Sequence, residues 1–212
     1  MNLVKYNKLP RSFFERDSLI VSQHLLGKVL VKETKEGEIA GEITETEAYI
    51  GPYDKASHAY NNKKTKRTSV QFKERGCAYV FRIYGVYHCF CVVVGPLYLP
   101  AVALIRSVKP TKGIELIMRN RNLHKNIPIH RLTDGPSKVC QAFKITAGLN
   151  GLDLCSGGFF ISEGNGSKFD IESSTRIGID YAEEYRHVPW RFYIKDNKFV
   201  SKKKTSKLHE CV

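Results

Sequence analysis

The chain lacks any long hydrophobic run: no stretch approaches the roughly 20 apolar residues that a membrane-spanning helix needs. Its first ten residues, Met1 to Pro10, mix Asn2, Lys5, Tyr6 and Lys8 among single apolar side chains. That excludes the apolar core of a signal peptide, so an intracellular protein is expected, cytoplasmic and nucleoid-associated in a bacterium or nuclear in a eukaryote. Paired Cys-x-x-Cys spacing is missing too. The six cysteines, at 77, 89, 91, 140, 155 and 211, match no zinc-site pattern. Reduced thiols are expected, and no metal or other cofactor. With no internal repeat, Pro/Ser linker or low-complexity block, the 212 residues read as one domain over 1–212.

Negative charge is scarce. Lys and Arg number 34 against 21 Asp and Glu, a formal +13, which implies a polyanionic partner. The excess is uneven. Between Asn61 and Arg75 stand Lys63, Lys64, Lys66, Arg67, Lys73 and Arg75 against the single acid Glu74. An aromatic cluster follows at once, so this loop is assigned to nucleic acid. The lysines from Lys195 onward suit a solvated surface as well as phosphate contact.

Local patterns predict an α/β (α+β) domain with a curved, mainly antiparallel sheet and surrounding helices. Asp17 suits the cap of a helix through Leu19 to Leu26, ended by Gly27. Strands are predicted at Lys28 to Thr34, Glu38 to Thr46, Ala78 to Ile83, His88 to Val94 and Val102 to Val108. Helical spacing occurs at Thr111 to Arg121 and Ser137 to Ile145. Arg191 to Ile194 and Lys198 to Ser201 read as a closing hairpin around Asp196-Asn197.

Two segments carry chemistry. In Glu45-Thr46-Glu47-Ala48-Tyr49-Ile50-Gly51-Pro52, strand alternation puts Glu45, Glu47 and Tyr49 on one face. Asp54 and Ala56-Ser57-His58 follow. A carboxylate at a strand end beside a ring and a histidine makes a polar site; the same residues could equally form a solvated strand with a helix cap behind it. In the second segment, Tyr79 to Cys91, Tyr79 and Phe90 read as core, whereas Tyr84 stands at a turn just beyond the basic loop. An exposed ring amid positive charge suits wedging between bases.

The run Glu45 to Pro52, Ala56-Ser57-His58, Ile83-Tyr84-Gly85, Ala103-Leu104-Ile105-Arg106, Gly135-Pro136-Ser137-Lys138 and Arg191-Phe192-Tyr193 resembles the alkyladenine (3-methyladenine) DNA glycosylase family. The blocks fall in the family's order and span nearly the whole chain. The resemblance implies a barrel like the formyltransferase C-terminal domain and a monomer acting on double-stranded DNA with damaged purines. It also implies base-excision hydrolysis of an N-glycosidic bond with nucleotide flipping. By position, Glu47 matches the general base, Arg106 the arginine beside the attacking water, and the Ile177 backbone carbonyl that water's third contact. Tyr49, His58, Phe81 and Cys91 match residues around the flipped base, and Tyr84 the intercalating tyrosine. Lys63, Lys64, Lys66 and Arg67 are assigned to the DNA backbone. The chain departs from the family at Phe81, where tyrosine is usual, and at Cys91, where asparagine is. It departs again at Thr65-Lys66-Arg67-Thr68, in place of Thr-Pro-Arg-Asn. A basic, non-catalytic nucleic-acid-binding domain is the alternative, though it gives Glu47 no purpose. A lyase with a Schiff-base lysine is a third reading, and none of the matched site positions is a lysine.

Overall fold

The alternating and continuous apolar runs become strands of a single eight-stranded sheet in the computed structural model, which describes residues 6–123 and 127–201. The strands are β1 (Val29–Thr34), β2 (Gly37–Ile50), β3 (Ala78–Ile83), β4 (Tyr87–Val94), β5 (Ala101–Lys112), β6 (Phe159–Ser162), β7 (Ile171–Ser174) and β8 (Arg191–Ile194). Their order is β3-β4-β5-β2-β1-β6, with β8 added on β2 and β7 on β8. Every one of these pairings is antiparallel. The sheet as paired is open: among the described residues nothing joins β3 to β6, so the barrel is not what these pairings form.

β2 organises the rest. One of its edges pairs with β5 along most of its length, and the other is shared. Gly37 to Glu42 pair with β1, and Glu45 to Glu47 pair with β8. The handover coincides with register shifts between Ile43 and Glu45 and between Glu45 and Thr46, the signature of a bulge. At Gly41 a side chain would collide with Val108 and the Lys109 carbonyl, so glycine permits the close strand approach.

The main core lies between one face of the sheet and four short helices: α1 (Arg11–Phe14), α2 (Ser18–His24), α3 (Ile114–Asn120) and α4 (Pro136–Ala142). Asp17 caps α2, its carboxylate accepting from the Leu19 and Ile20 amides, and the hydroxyl of Thr46 donates to the Ser22 carbonyl. That bond locks α2 across the middle of β2. A second apolar cluster, including Tyr79, Cys89, Cys91, Val102 and Leu104, covers part of the opposite face. Among the described residues no helix is long and apolar enough to cross a membrane.

The closing hairpin is a correction. β8 does form at Arg191–Ile194, but its partner is β7 upstream, not Lys198 to Ser201. Ser201 is used otherwise: its amide and hydroxyl both donate to the Glu45 carboxylate, at 2.8 Å each, which takes the segment out of strand geometry. β7 reads Ile-Glu-Ser-Ser and has no buried residue, so it carries no apolar alternation to mark it. Thr111 and Lys112 continue β5 rather than opening α3, because Gly113, at a φ of 74°, separates the two elements. Residue 211 and the lysines beyond 201 lie outside the described residues.

Candidate active site

Alternation along β2 does place Glu45, Glu47 and Tyr49 together, and Arg106 on β5 reaches both acids. Arg106 Nε donates to Glu45 at 2.8 Å, and Nη1 to Glu47 Oε2 at 3.1 Å. The Tyr49 hydroxyl donates to the same Oε2 at 2.8 Å. The amide N–H of Ile177 donates to Oε1 at 2.8 Å. Glu47 is wholly buried and accepts from these three donors, leaving one of the four carboxylate lone-pair directions, on Oε1, unclaimed. Burial works against the charge of Arg106, yet Glu47 and Glu45 outweigh it and hold the guanidinium above its usual range. Burial, then the Glu47 charge, pushes the Tyr49 hydroxyl well up, so it stays a donor.

Behind Arg106 lies a second anchor. Glu45, also fully buried, accepts from Arg106, from Arg191 Nε at 2.6 Å and from Ser201. Burial alone would raise its carboxyl; Arg106 and Arg191 outweigh that and hold it below the usual range. Two arginines and two glutamates thus interlock where β5, β2 and β8 run side by side, so none of these four buried charges stands alone.

Above Glu47 opens a cavity of about 610 Å³. Tyr49, Arg106 and Ile177, the three donors to Glu47, all line it, and Glu47 lies one layer beneath them. Phe81, His58 and Cys91 line it as well, together with Arg67 and the exposed Tyr84 and Tyr181. A cavity of this size with apolar walls and a few convergent polar groups has the form of a ligand site.

His58 is a neutral wall. Its Nε2 lies 3.1 Å from Arg67 Nη2, and arginine can only donate, so Nε2 is the acceptor. The ring proton therefore sits on Nδ1 and is donated to the Tyr79 oxygen at 2.9 Å. Burial, then Arg67, lowers the His58 pKa to about 4. The Phe81 ring meets His58 edge-on at 4.7 Å between centroids, and Arg67 covers Phe81 at 5.1 Å. Tyr79, read from the sequence as core, is buried but also belongs to the cavity wall. Cys91 pairs with Leu104 of β5 and is buried, which pushes its thiol well up and keeps it neutral.

Tyr84 stands at the β3–β4 turn with φ at 48° and is 88% exposed. Lys63, Lys64, Lys66 and Arg67 are exposed on the preceding loop. Arg75, counted with them by sequence, is different. It is fully buried, and all its hydrogen bonds go to backbone carbonyls: Gly95, Gln71, Lys73, Pro96 and Leu99. It shapes the loop instead of facing solvent.

Another buried pair was not legible beforehand. Arg176 binds Asp54 through two bonds, Nη1 to Oδ2 at 2.5 Å and Nη2 to Oδ1 at 2.8 Å. Arg176 also donates to the Ala48 carbonyl, and Asp54 accepts from the Ala56 amide. The pair therefore ties the Ile177 amide, the end of β2 and the approach to His58 to one point. Among the described residues no group of three or more His, Cys, Asp or Glu could hold a metal ion.

Comparison with known proteins bears on this geometry. The profile described as Methylpurine-DNA glycosylase matches residues 12–198. A protein of Alkaliphilus oremlandii is 48% identical over 202 residues, covering 92% of this chain and 100% of its own. Proteins of Clostridium botulinum and Clostridium novyi are 48% and 45% identical, over 92% of this chain and 99% of theirs. All three carry the name "Putative 3-methyladenine DNA glycosylase". The chain belongs to the methylpurine-DNA glycosylase family, and as a member of it is a DNA glycosylase of base excision repair.

Proposed function

We propose that the protein hydrolyses the N-glycosidic bond of alkylated or deaminated purines, among them 3-methyladenine, 7-methylguanine and hypoxanthine, in double-stranded DNA, acting as a monomer. The observation that carries this reading is the carboxylate of Glu47, buried directly beneath a cavity whose floor is built from its own three donors.

The damaged nucleotide leaves the stack and enters the cavity, where Tyr49, Phe81 and His58 enclose the base. Tyr84 fills the gap, and Lys63, Lys64, Lys66 and Arg67 meet phosphates. A water held between Arg106 and the Ile177 carbonyl uses the spare lone pair of Glu47 Oε1; the carboxylate takes its proton as oxygen attacks C1′. The bond from C1′ to the purine breaks and the base departs with the electron pair. An alkylated purine is cationic before it binds, so it leaves neutral and needs no acid. That is why one carboxylate serves where O-glycoside hydrolysis uses two. A neutral purine such as hypoxanthine needs protonation as it leaves. The His58 amide faces position 6, where an adenine amino group cannot accept a hydrogen bond; undamaged adenine, lacking also the positive charge that makes 3-methyladenine a ready leaving group, is rejected.

Among the described residues no lysine lines the cavity, which supports direct hydrolysis over a Schiff-base route. The test is base release from a panel of defined lesion duplexes, run with EDTA in one arm and borohydride in another. Release that survives EDTA without a trapped covalent adduct is expected. Absence of release from every lesion, or a trapped adduct, would sink the proposal.

A further inference from the structure

The Tyr49 ring has a charged neighbour that the reaction above does not use. The guanidinium of Arg176 lies over the ring, 4.7 Å from its centroid, and also contacts Trp190 at 5.2 Å. Its side chain is wholly buried and does not line the cavity, whereas Tyr49 does. One face of the Tyr49 ring is therefore occupied by a cation, and the cavity meets what remains of it.

An aromatic face attracts cations through its quadrupole. A ring already polarised by a cation on one side attracts a second less well, and the two positive charges also repel within a Debye length. A neutral base stacked on the same ring escapes both penalties. Asp54, bound to Arg176 through two hydrogen bonds, offsets part of the charge.

We propose that Arg176 is a specificity-determining residue, which through the Tyr49 ring biases the pocket against cationic alkylated purines and towards neutral ones. The inference rests on the reading of Tyr49 as the surface on which the base stacks. Arg176 is also a positioning residue, because the Ile177 amide that holds Glu47 is the next one in the chain. Substituting it lowers all activity, so the diagnostic quantity is a ratio.

The experiment measures single-turnover release of 7-methylguanine, a cationic base, and hypoxanthine, a neutral one, on matched duplexes. Arg176→Met removes the charge, and the ratio of 7-methylguanine to hypoxanthine release should rise by about three- to tenfold. Arg176→Lys keeps a cation behind the ring; both rates should fall while the ratio stays within about twofold of the parent. Asp54→Asn leaves the guanidinium uncompensated, and the ratio should fall. A merely structural role gives no opposite movement in Met and Asn variants, so ratios that stay level or move together would overturn the inference. In a Tyr49→Leu background the ring is gone, and Arg176→Met should no longer shift the ratio; a full shift there would also overturn it. A parent enzyme that releases neither base would refute the proposed function itself, before any variant is compared.

Discussion

Substituting glutamine for Glu47 tests the chemistry and the architecture separately. Glu47 accepts from Ile177 N–H on Oε1 and from Tyr49 and Arg106 on Oε2. An amide has one accepting oxygen. If that oxygen faces Ile177, the new NH₂ meets the Arg106 guanidinium; turned over, it meets the Ile177 amide instead. Tyr49 can rotate its hydroxyl to accept, but Arg106 and the Ile177 amide cannot, so each orientation leaves one donor against a donor. Such a buried mismatch costs about 1–3 kcal/mol, and a protein of this size loses about 2–4 °C of melting temperature per kcal/mol. Loss of a general base is worth about 10²–10⁴ in rate. Glu47→Gln should therefore lower single-turnover base release at least about 100-fold, keep duplex binding, and melt a few degrees below the parent. Thermal unfolding and release assays on one preparation check both parts. A variant that melts lower yet releases base at the parental rate would show that Glu47 is a structural acid and that the catalytic assignment is wrong.

Removing the exposed ring by Tyr84→Ala should weaken excision by about 1–3 kcal/mol of lost stacking, less for mispaired lesions because these are easier to extrude; equal losses on paired and mispaired duplexes would contradict a wedge. Cys91→Asn places an amide where the buried thiol leaves room, and release of 7-methylguanine relative to hypoxanthine should fall by about 10-fold or more. An unmoved ratio in that variant means neighbouring side chains already fill the space. The pH dependence follows from His58, whose folded pKa of about 4 lies below the ordinary histidine value of 6.5. Above pH 6.5 it is neutral in both folded and unfolded chains. As pH falls from there towards 4, the unfolded chain binds the proton first and stability drops, by roughly 2–3 kcal/mol in all. Urea titrations of the parent and His58→Asn at several pH values in that window should show a smaller decline in the variant, and identical slopes would refute the assignment.

Much of the scaffold is written locally. The alternation that put Glu45, Glu47 and Tyr49 on one face needs only the two-residue period of a strand, and the cap at Asp17 is a contact over two and three residues. What resisted reading depends on partners far apart. Asp54 and Arg176 are 122 positions apart, and Glu45 and Ser201 are 156. A glutamate held by two arginines and a distant serine looks, in sequence, like any other acid on a strand. Arg75 shows the converse: its neighbours Lys73 and Glu74 are exposed, and composition alone assigned all of them to one surface. Tyr79 was legible as core from its place on a strand face, but not as the phenol that receives the His58 proton, because that contact closes only when the 54–58 loop folds over β3.

Arg75 has one more consequence. Electrostatic attraction between a basic loop and DNA is screened by salt and depends on how many cations actually reach phosphates. The cation at the end of this loop is itself buried and is held by uncharged carbonyl oxygens, not by an ion pair that salt would screen. Shape and attraction are thereby assigned to different residues. The phosphate contacts proposed for Lys63, Lys64, Lys66 and Arg67 would weaken as ionic strength rises, whereas the bonds of Arg75 to Gln71 and Lys73, which fix the far end of that loop, would persist.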